Sequence, residues 1–226
     1  MLEELNCRTC GKVANLVDGI PTFSPALAYE GEGFKEEYFN DLFKAEAENF
    51  WFRGRNRLIL WSLKKFAPNF TKLLEIGCGT GFVLNAITQA YPGRTILGSE
   101  VFVAGLKFAT ARLPRTQLIQ MDARAIPFKD EFDVIGAFDV LEHIEDDRTV
   151  LREVARSLKP GGHLLLTVPQ HPWLWSQSDT YAKHQRRYTK RGLHGKLKDA
   201  GFTIIRSTSF VSLLIPALIL SRLLDR

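Results

Sequence analysis

Residues 73–82 read Leu73-Leu74-Glu75-Ile76-Gly77-Cys78-Gly79-Thr80-Gly81-Phe82. A short apolar run, three glycines at alternate positions and the start of a helical pattern describe a buried strand that turns sharply into a helix. Glycines there permit the tight turn and let a ligand approach the backbone with no Cβ in the way. The place is the carboxyl edge of a sheet, where open α/β folds bind ligands. A dinucleotide loop is spaced Gly-x-Gly-x-x-Gly, whereas this one is Gly-x-Gly-x-Gly followed by Phe82, which disfavours a nicotinamide-dependent oxidoreductase.

Outward from this loop, short apolar runs alternate with helical segments. Strands are expected at 73–76, 95–99, 117–121, 132–138 and 163–168, and helices at 82–90, 104–112 and 146–158. Such alternation predicts a Rossmann-like α/β sheet with helices on both faces. Upstream, apolar residues recur at three- and four-residue steps across 36–66, a helical pattern that Pro68 closes. Four regions follow: a Cys-x-x-Cys segment (1–35), the helical stretch (36–69), the α/β domain (70–207) and an apolar tail (208–226).

Two acids at later strand ends reinforce the loop. Glu100, with Val101 after it, ends the second strand, where a carboxylate accepts hydrogen bonds from both hydroxyls of a ribose. Asp122, followed by Ala123, ends the third, within reach of an adenine amino group. At this point the chain resembles the class I S-adenosylmethionine-dependent methyltransferases over roughly residues 70–207, and most closely their small-molecule branch of ubiquinone-biosynthesis enzymes. Glu75 through Gly81 looks like the family's first motif, Gly98-Ser99-Glu100 like its second-strand motif and Asp122-Ala123 like its adenine motif. Phe138-Asp139-Val140-Leu141-Glu142-His143-Ile144 looks like the fourth-strand motif, and Leu158-Lys159-Pro160-Gly161-Gly162 like the turn before strand five. The resemblance implies a seven-stranded sheet, with a seventh antiparallel strand, binding S-adenosylmethionine. Glu75, Gly77, Cys78, Gly79 and Gly81 would form its loop, Glu100 and Val101 would hold the ribose, and Asp122 and Ala123 the adenine. Asp139 would hold the methionine amine or face the acceptor.

Methyl transfer is an in-line displacement, so such a protein chiefly aligns and dries its reactants. An acceptor hydroxyl or protonated amine also needs a base. His143 is the candidate, because histidine titrates near neutrality, with a structural brace as its alternative. Glu142 reads as a cap for the next helix. Beyond strand five, 171–189 carries Trp173, Trp175, His184, Arg186, Arg187 and Tyr188 on a long irregular loop. Trp173 and Trp175 are expected to wall an apolar or planar substrate, and His184, Arg186 and Tyr188 to bind its carboxylate, phosphate or phenolate. The structural alternative pairs Arg186 or Arg187 with a cap carboxylate and packs the tryptophans in the core. The resemblance further implies that 36–69 is an N-terminal helical lid on a catalytic domain of 70–207, with Trp51, Phe52 and Arg53 as the opposite lip.

Thirty basic against 25 acidic side chains leave a formal +5, unevenly spread: −6 over residues 1–50, +4 over 51–170 and +7 over 171–226. Aromatics do not interleave with the C-terminal charges as a single-strand stacking platform requires, so no nucleic-acid partner is expected. Cys7, Cys10 and Cys78 are too few for a disulfide framework, and Cys7-Arg-Thr-Cys10-Gly11 lacks a second knuckle, so no metal is expected. With an acidic, unsignalled start, the chain is placed in the cytoplasm. Gly201 to Ile205 reads as a strand, and 210–215 as either the seventh strand or part of an apolar helix. At eleven mostly apolar residues around Pro216, the end is short of the ~20 that span a bilayer. It packs on its own domain, or serves as a dimer contact or peripheral membrane anchor. The predicted activity is methyl transfer to an O, N or C nucleophile of a small, apolar or anionic metabolite; a non-catalytic cofactor-binding partner subunit is the other class.

Overall fold

A computed structural model describes residues 14–29, 36–210, 212–216 and 219; Cys7 and Cys10 lie outside them. Strands β1 (Asn15–Val17) and β2 (Ile20–Thr22) are followed by helices α1 (Glu36–Ala45) and α2 (Phe50–Phe66). Then come β3 (Lys72–Ile76), α3 (Phe82–Ala90), β4 (Thr95–Glu100), α4 (Val103–Arg112), β5 (Gln117–Gln120), β6 (Phe132–Phe138), α5 (Asp147–Ser157), β7 (Leu158–Thr167), α6 (Gln177–Tyr181) and α7 (Lys190–Asp199).

The seven strands form one sheet in the order β1-β2-β5-β4-β3-β6-β7, parallel throughout except for the β1–β2 hairpin. β3 is central because both its faces are apolar. Leu73 (1% exposed) packs with Ile59, Leu63 and Leu84 on one side, while Leu74 (0%) packs with Ile135, Val150 and Leu151 on the other. The chain runs outward through β4 and β5 and then returns to place β6 against the opposite edge of β3. That reversal opens a crevice at the carboxyl ends of β3 and β6.

The count of seven is reached differently from the expectation. Asp18 and Gly19, both with positive φ (51° and 78°), make a two-residue turn of the kind that closes hairpins, and the resulting β2 adds alongside β5. Residues 201–205, expected as a strand, are irregular: Phe202 and Ile204 lean on the core, yet nothing in 202–209 joins the sheet ladder. Residues 212–214 form a 3-10 turn with helical backbone at 215 and 216, so the strand alternative there is overturned. The antiparallel seventh strand implied by the resemblance is absent among the described residues. No helix among them is long and apolar enough to cross a membrane.

Candidate functional site

The glycine loop leaves β3 with Gly77, Gly79 and Gly81 all at positive φ (67°, 51° and 76°). At Gly77 a Cβ would lie 2.4 Å from Val140 Cγ2, so the first turn is pressed against the chain leaving β6. Cys78 N–H donates to the Ser99 carbonyl (2.8 Å), and the buried thiol, its titration pushed up by that burial, lines the core. Glu100 joins loop and strand: one oxygen accepts from Gly79 N–H (3.1 Å), the other from Val101 N–H (2.7 Å) and Phe102 N–H (3.3 Å). Burial raises its carboxyl, and these three amides oppose the rise. The oxygen that meets Gly79 keeps a lone pair for a ribose hydroxyl, whereas the other already accepts two amides. Asp122 instead accepts from the Arg124 guanidinium (3.0 Å) and sits beside the buried Ala123, so an adenine amine there would share the carboxylate with Arg124.

Glu75, 2% exposed at the end of β3, is pushed up to about 8 by burial, with Arg55 opposing and Glu100 adding to the shift. Its Oε2 is buried with no hydrogen-bond partner among the described residues. An orphan carboxylate oxygen beside a glycine cradle fits the ammonium of an amino-acid-bearing cofactor. Asp139 follows β6 at a positive φ of 59°, and one carboxylate oxygen accepts from Thr167 Oγ1 (2.9 Å). The other accepts from Arg55, which is buried to 11% exposure.

Arg55 and Glu46, which sequence reasoning did not single out, tie the 36–66 helical stretch to the sheet. Arg55 shares its helix face with Phe52 and Ile59, whereas Arg53 and Trp51, the predicted lip residues, are exposed. The three- and four-residue spacing to those apolar neighbours is the signal for Arg55. Trp51 packs its ring 5.1 Å from that of Phe210. Glu46, 3% exposed, accepts from Thr80 Oγ1 (2.7 Å) in the glycine loop and from Arg112 of α4. Phe39 covers Gly79 and Gly105.

The turn after β6 and the loop after β7 meet at two imidazoles. The His143 and His184 ring centroids are 4.7 Å apart, and His184 Nδ1 lies 2.9 Å from Asp179 Oδ1. Burial lowers His143 to about 4, the neighbouring His184 adding to the fall, so at neutral pH its ring is uncharged. Glu142 is not a helix cap; Asp146 caps α5 by accepting from Thr149 N–H (3.0 Å). The Glu142 carboxyl is buried with neither oxygen hydrogen-bonded among the described residues, and burial drives it well above the usual carboxylate range. Glu142, His143 and His184 each bring a ligand atom within 4.8 Å of the others, a donor set that Cys7 and Cys10 had not suggested.

Arg186 donates to the carbonyls of Ile144 (2.8 Å) and Glu145 (2.9 Å), Tyr188 is 4% exposed with its hydroxyl 2.7 Å from Asp147, and Arg187 pairs with Asp179. These three brace the turn rather than line a mouth, which is the structural alternative for that loop. Trp173 and Trp175, at 61% and 42% exposed, are not core residues.

A methyltransferase-domain family matches residues 43–207. The chain belongs to that methyltransferase-domain family. It is 30% identical over 162 residues to a probable S-adenosylmethionine-dependent methyltransferase of Mycobacterium tuberculosis, covering 70% of this chain and 57% of the relative. It is also 30% identical over 132 residues to a ubiquinone biosynthesis O-methyltransferase of Pseudomonas fluorescens, covering 54% and 55%. The chain thus spans little more than half the length of these curated relatives. Phosphoethanolamine N-methyltransferase 2 of Haemonchus contortus, solved with S-adenosyl-L-methionine, shares the fold with a TM-score of 0.59 at 22% identity, over 76% of this chain and 41% of that one. S-adenosylmethionine is the cofactor of this methyltransferase domain.

Proposed function

We propose that this chain transfers a methyl group from S-adenosylmethionine to an O, N or C nucleophile of a small, apolar or anionic metabolite. One juxtaposition carries the reading: at the ends of β3 and β6, the glycine loop and orphan Glu75 carboxyl sit beside a motif that holds a half-buried, uncharged imidazole, His143. When bound, the cofactor supplies an electrophilic methyl on a sulfonium. Glu75 and Asp139 take its ammonium end, the loop from Gly77 to Gly81 its backbone side, Glu100 and Val101 the ribose, and Asp122 with Ala123 the adenine.

His143 takes the proton that the acceptor releases as its new bond to carbon forms. Neutral His143 has a lone pair available at pH 7, and its low basicity means that the proton moves with bond formation rather than before it. Trp51, Arg53 and Trp173, all exposed, and His184 meet the acceptor; Arg186 and Tyr188 act through the 141–147 turn. Residues 36–69 serve as the lid and 70–207 as the catalytic unit. The activity is cytoplasmic, without nucleic acid, and the tail mediates a homodimer or a peripheral membrane contact.

Saturating S-adenosylhomocysteine is expected to raise the melting temperature by several degrees, and NAD to leave it unchanged. Labelled-methyl transfer into a metabolite and lipid extract identifies the acceptor. His143→Ala is expected to retain S-adenosylhomocysteine affinity and lose turnover by about 100-fold or more. No thermal shift, or unaltered turnover in His143→Ala, refutes the respective part.

A further inference from the structure

Residues 20–28 lie outside the region matched by the family, yet they run along the two loops that would carry ribose and adenine. β2 pairs with β5 at Thr22 and Gln120, and Phe23 N–H donates to the Gln120 carbonyl (2.8 Å). Gln120 is completely buried. Its side-chain oxygen accepts from Ser24 N–H (3.0 Å), while its amide nitrogen donates to the Ser24 carbonyl (2.8 Å) and to the Val101 carbonyl (2.9 Å). Ser24 then reaches the other loop, its Oγ accepting from Asp122 N–H (3.2 Å). Further along, the Ala28 carbonyl accepts from Val103 N–H (3.0 Å) at the start of α4.

Ser24 and Gln120 together therefore tie backbone at 101 to backbone at 122: Ser24 satisfies the acceptor and one donor of the buried amide, and the Val101 carbonyl takes the other donor. A buried amide is costly to leave unpaired, so the spacing of the two loops is coupled to the seating of the N-terminal hairpin. We infer that Ser24 and Gln120 are positioning residues for the nucleoside half of the cofactor, and that the hairpin sets cofactor affinity by acting as an in-cis brace on the 101 and 122 loops. The inference rests on the assignment of Glu100 to the ribose and Asp122 to the adenine.

The full chain serves for the test, by titration calorimetry at 15 °C with S-adenosylhomocysteine and with 5′-methylthioadenosine, which keeps the nucleoside and lacks the amino acid. Ser24→Ala removes only the hydroxyl that meets Asp122. It is expected to weaken both ligands by the same factor, about fivefold for one lost hydrogen bond, and Ser24→Thr to restore them. A merely structural role lowers the melting temperature and leaves both affinities unchanged at 15 °C; that result, or weakening that Ser24→Thr does not restore, overturns the brace. Glu100→Gln is measured alongside: if it binds both ligands as tightly as the unaltered protein, the nucleoside assignment falls, and the brace with it. Unaltered binding in Ser24→Ala together with loss in Glu100→Gln overturns the brace alone.

Discussion

Glu75 and His143 are both taken out of water, and burial moves them in opposite senses because each is driven to its neutral form. Glu75, held at about 8 in the folded chain against an ordinary 4.5, contributes stability that is full below pH 4.5 and lost as pH rises through 8. His143, held at about 4 against an ordinary 6.5, contributes stability that is full above 6.5 and lost as pH falls toward 4. Glu75→Gln should therefore match the unaltered protein near pH 5. By pH 8.5 it should melt higher by at least about 2–4 °C, the equivalent of roughly 1 kcal/mol in a chain of this size; a constant gap across pH would refute it. The types of these residues were legible in the motifs, but their protonation was not, because it depends on which chain segments cover them. Arg53 and Arg55 make the same point. Each turns about 100° from its neighbour on the helix, so two positions separate the solvent face from the carboxylate face. The aromatic cluster drew attention to Arg53, whereas Arg55 is the residue that reaches Asp139.

Among the elements, the strand–loop–helix unit is specified most tightly. Gly77 combines a left-handed φ with contact against Val140, whereas Gly19 has a similar φ and open space around its Cβ position. Gly77→Ala is expected to cost at least about 2 kcal/mol more than Gly19→Ala, roughly 4–8 °C in melting temperature, since only the former adds overpacking to backbone strain. Equal melting temperatures would show that the Val140 contact yields. The central strands, α3, α4 and α5 follow from periodicity because each buries its apolar face against a neighbour close in sequence. The β1–β2 hairpin escaped that logic. Its strands are three residues long, too short to show a period, and its partner β5 lies about a hundred residues away. The 201–205 segment failed in the reverse direction: it alternates like a strand, but alternation buries one face and cannot provide a neighbour to pair with.

At the scale of the molecule, the −6, +4 and +7 distribution acquires a geometry. The basic stretch 171–226 contains α7, whose Lys190, Arg191 and Lys198 are exposed, and among its described residues Leu213 and Leu214 are exposed too. Phe210 returns across the chain to Trp51 and to within 3.0 Å of a Cβ built on Gly54, so the start of the tail packs on α2. Removing residues 210–226 is expected to lower either the oligomeric mass in light scattering or the fraction that sediments with anionic vesicles, as a dimer contact or an interfacial anchor requires. Unchanged values for both would leave the tail as packing for its own domain.

Local sequence alone determined the parallel sheet, the glycine loop at its carboxyl edge and the acids that follow its strands at Glu100 and Asp122. Each follows from chain-local sterics and from the burial of periodic apolar faces. Only the tertiary structure decided that Arg55 faces Asp139, that Arg186 and Tyr188 meet the 141–147 turn, that Glu142 and His143 lie beside His184, and that Ser24 meets both Gln120 and Asp122. These contacts link residues 41 to 98 positions apart. Their formation is settled by packing and by the need to satisfy buried polar groups, neither of which leaves a period in the sequence.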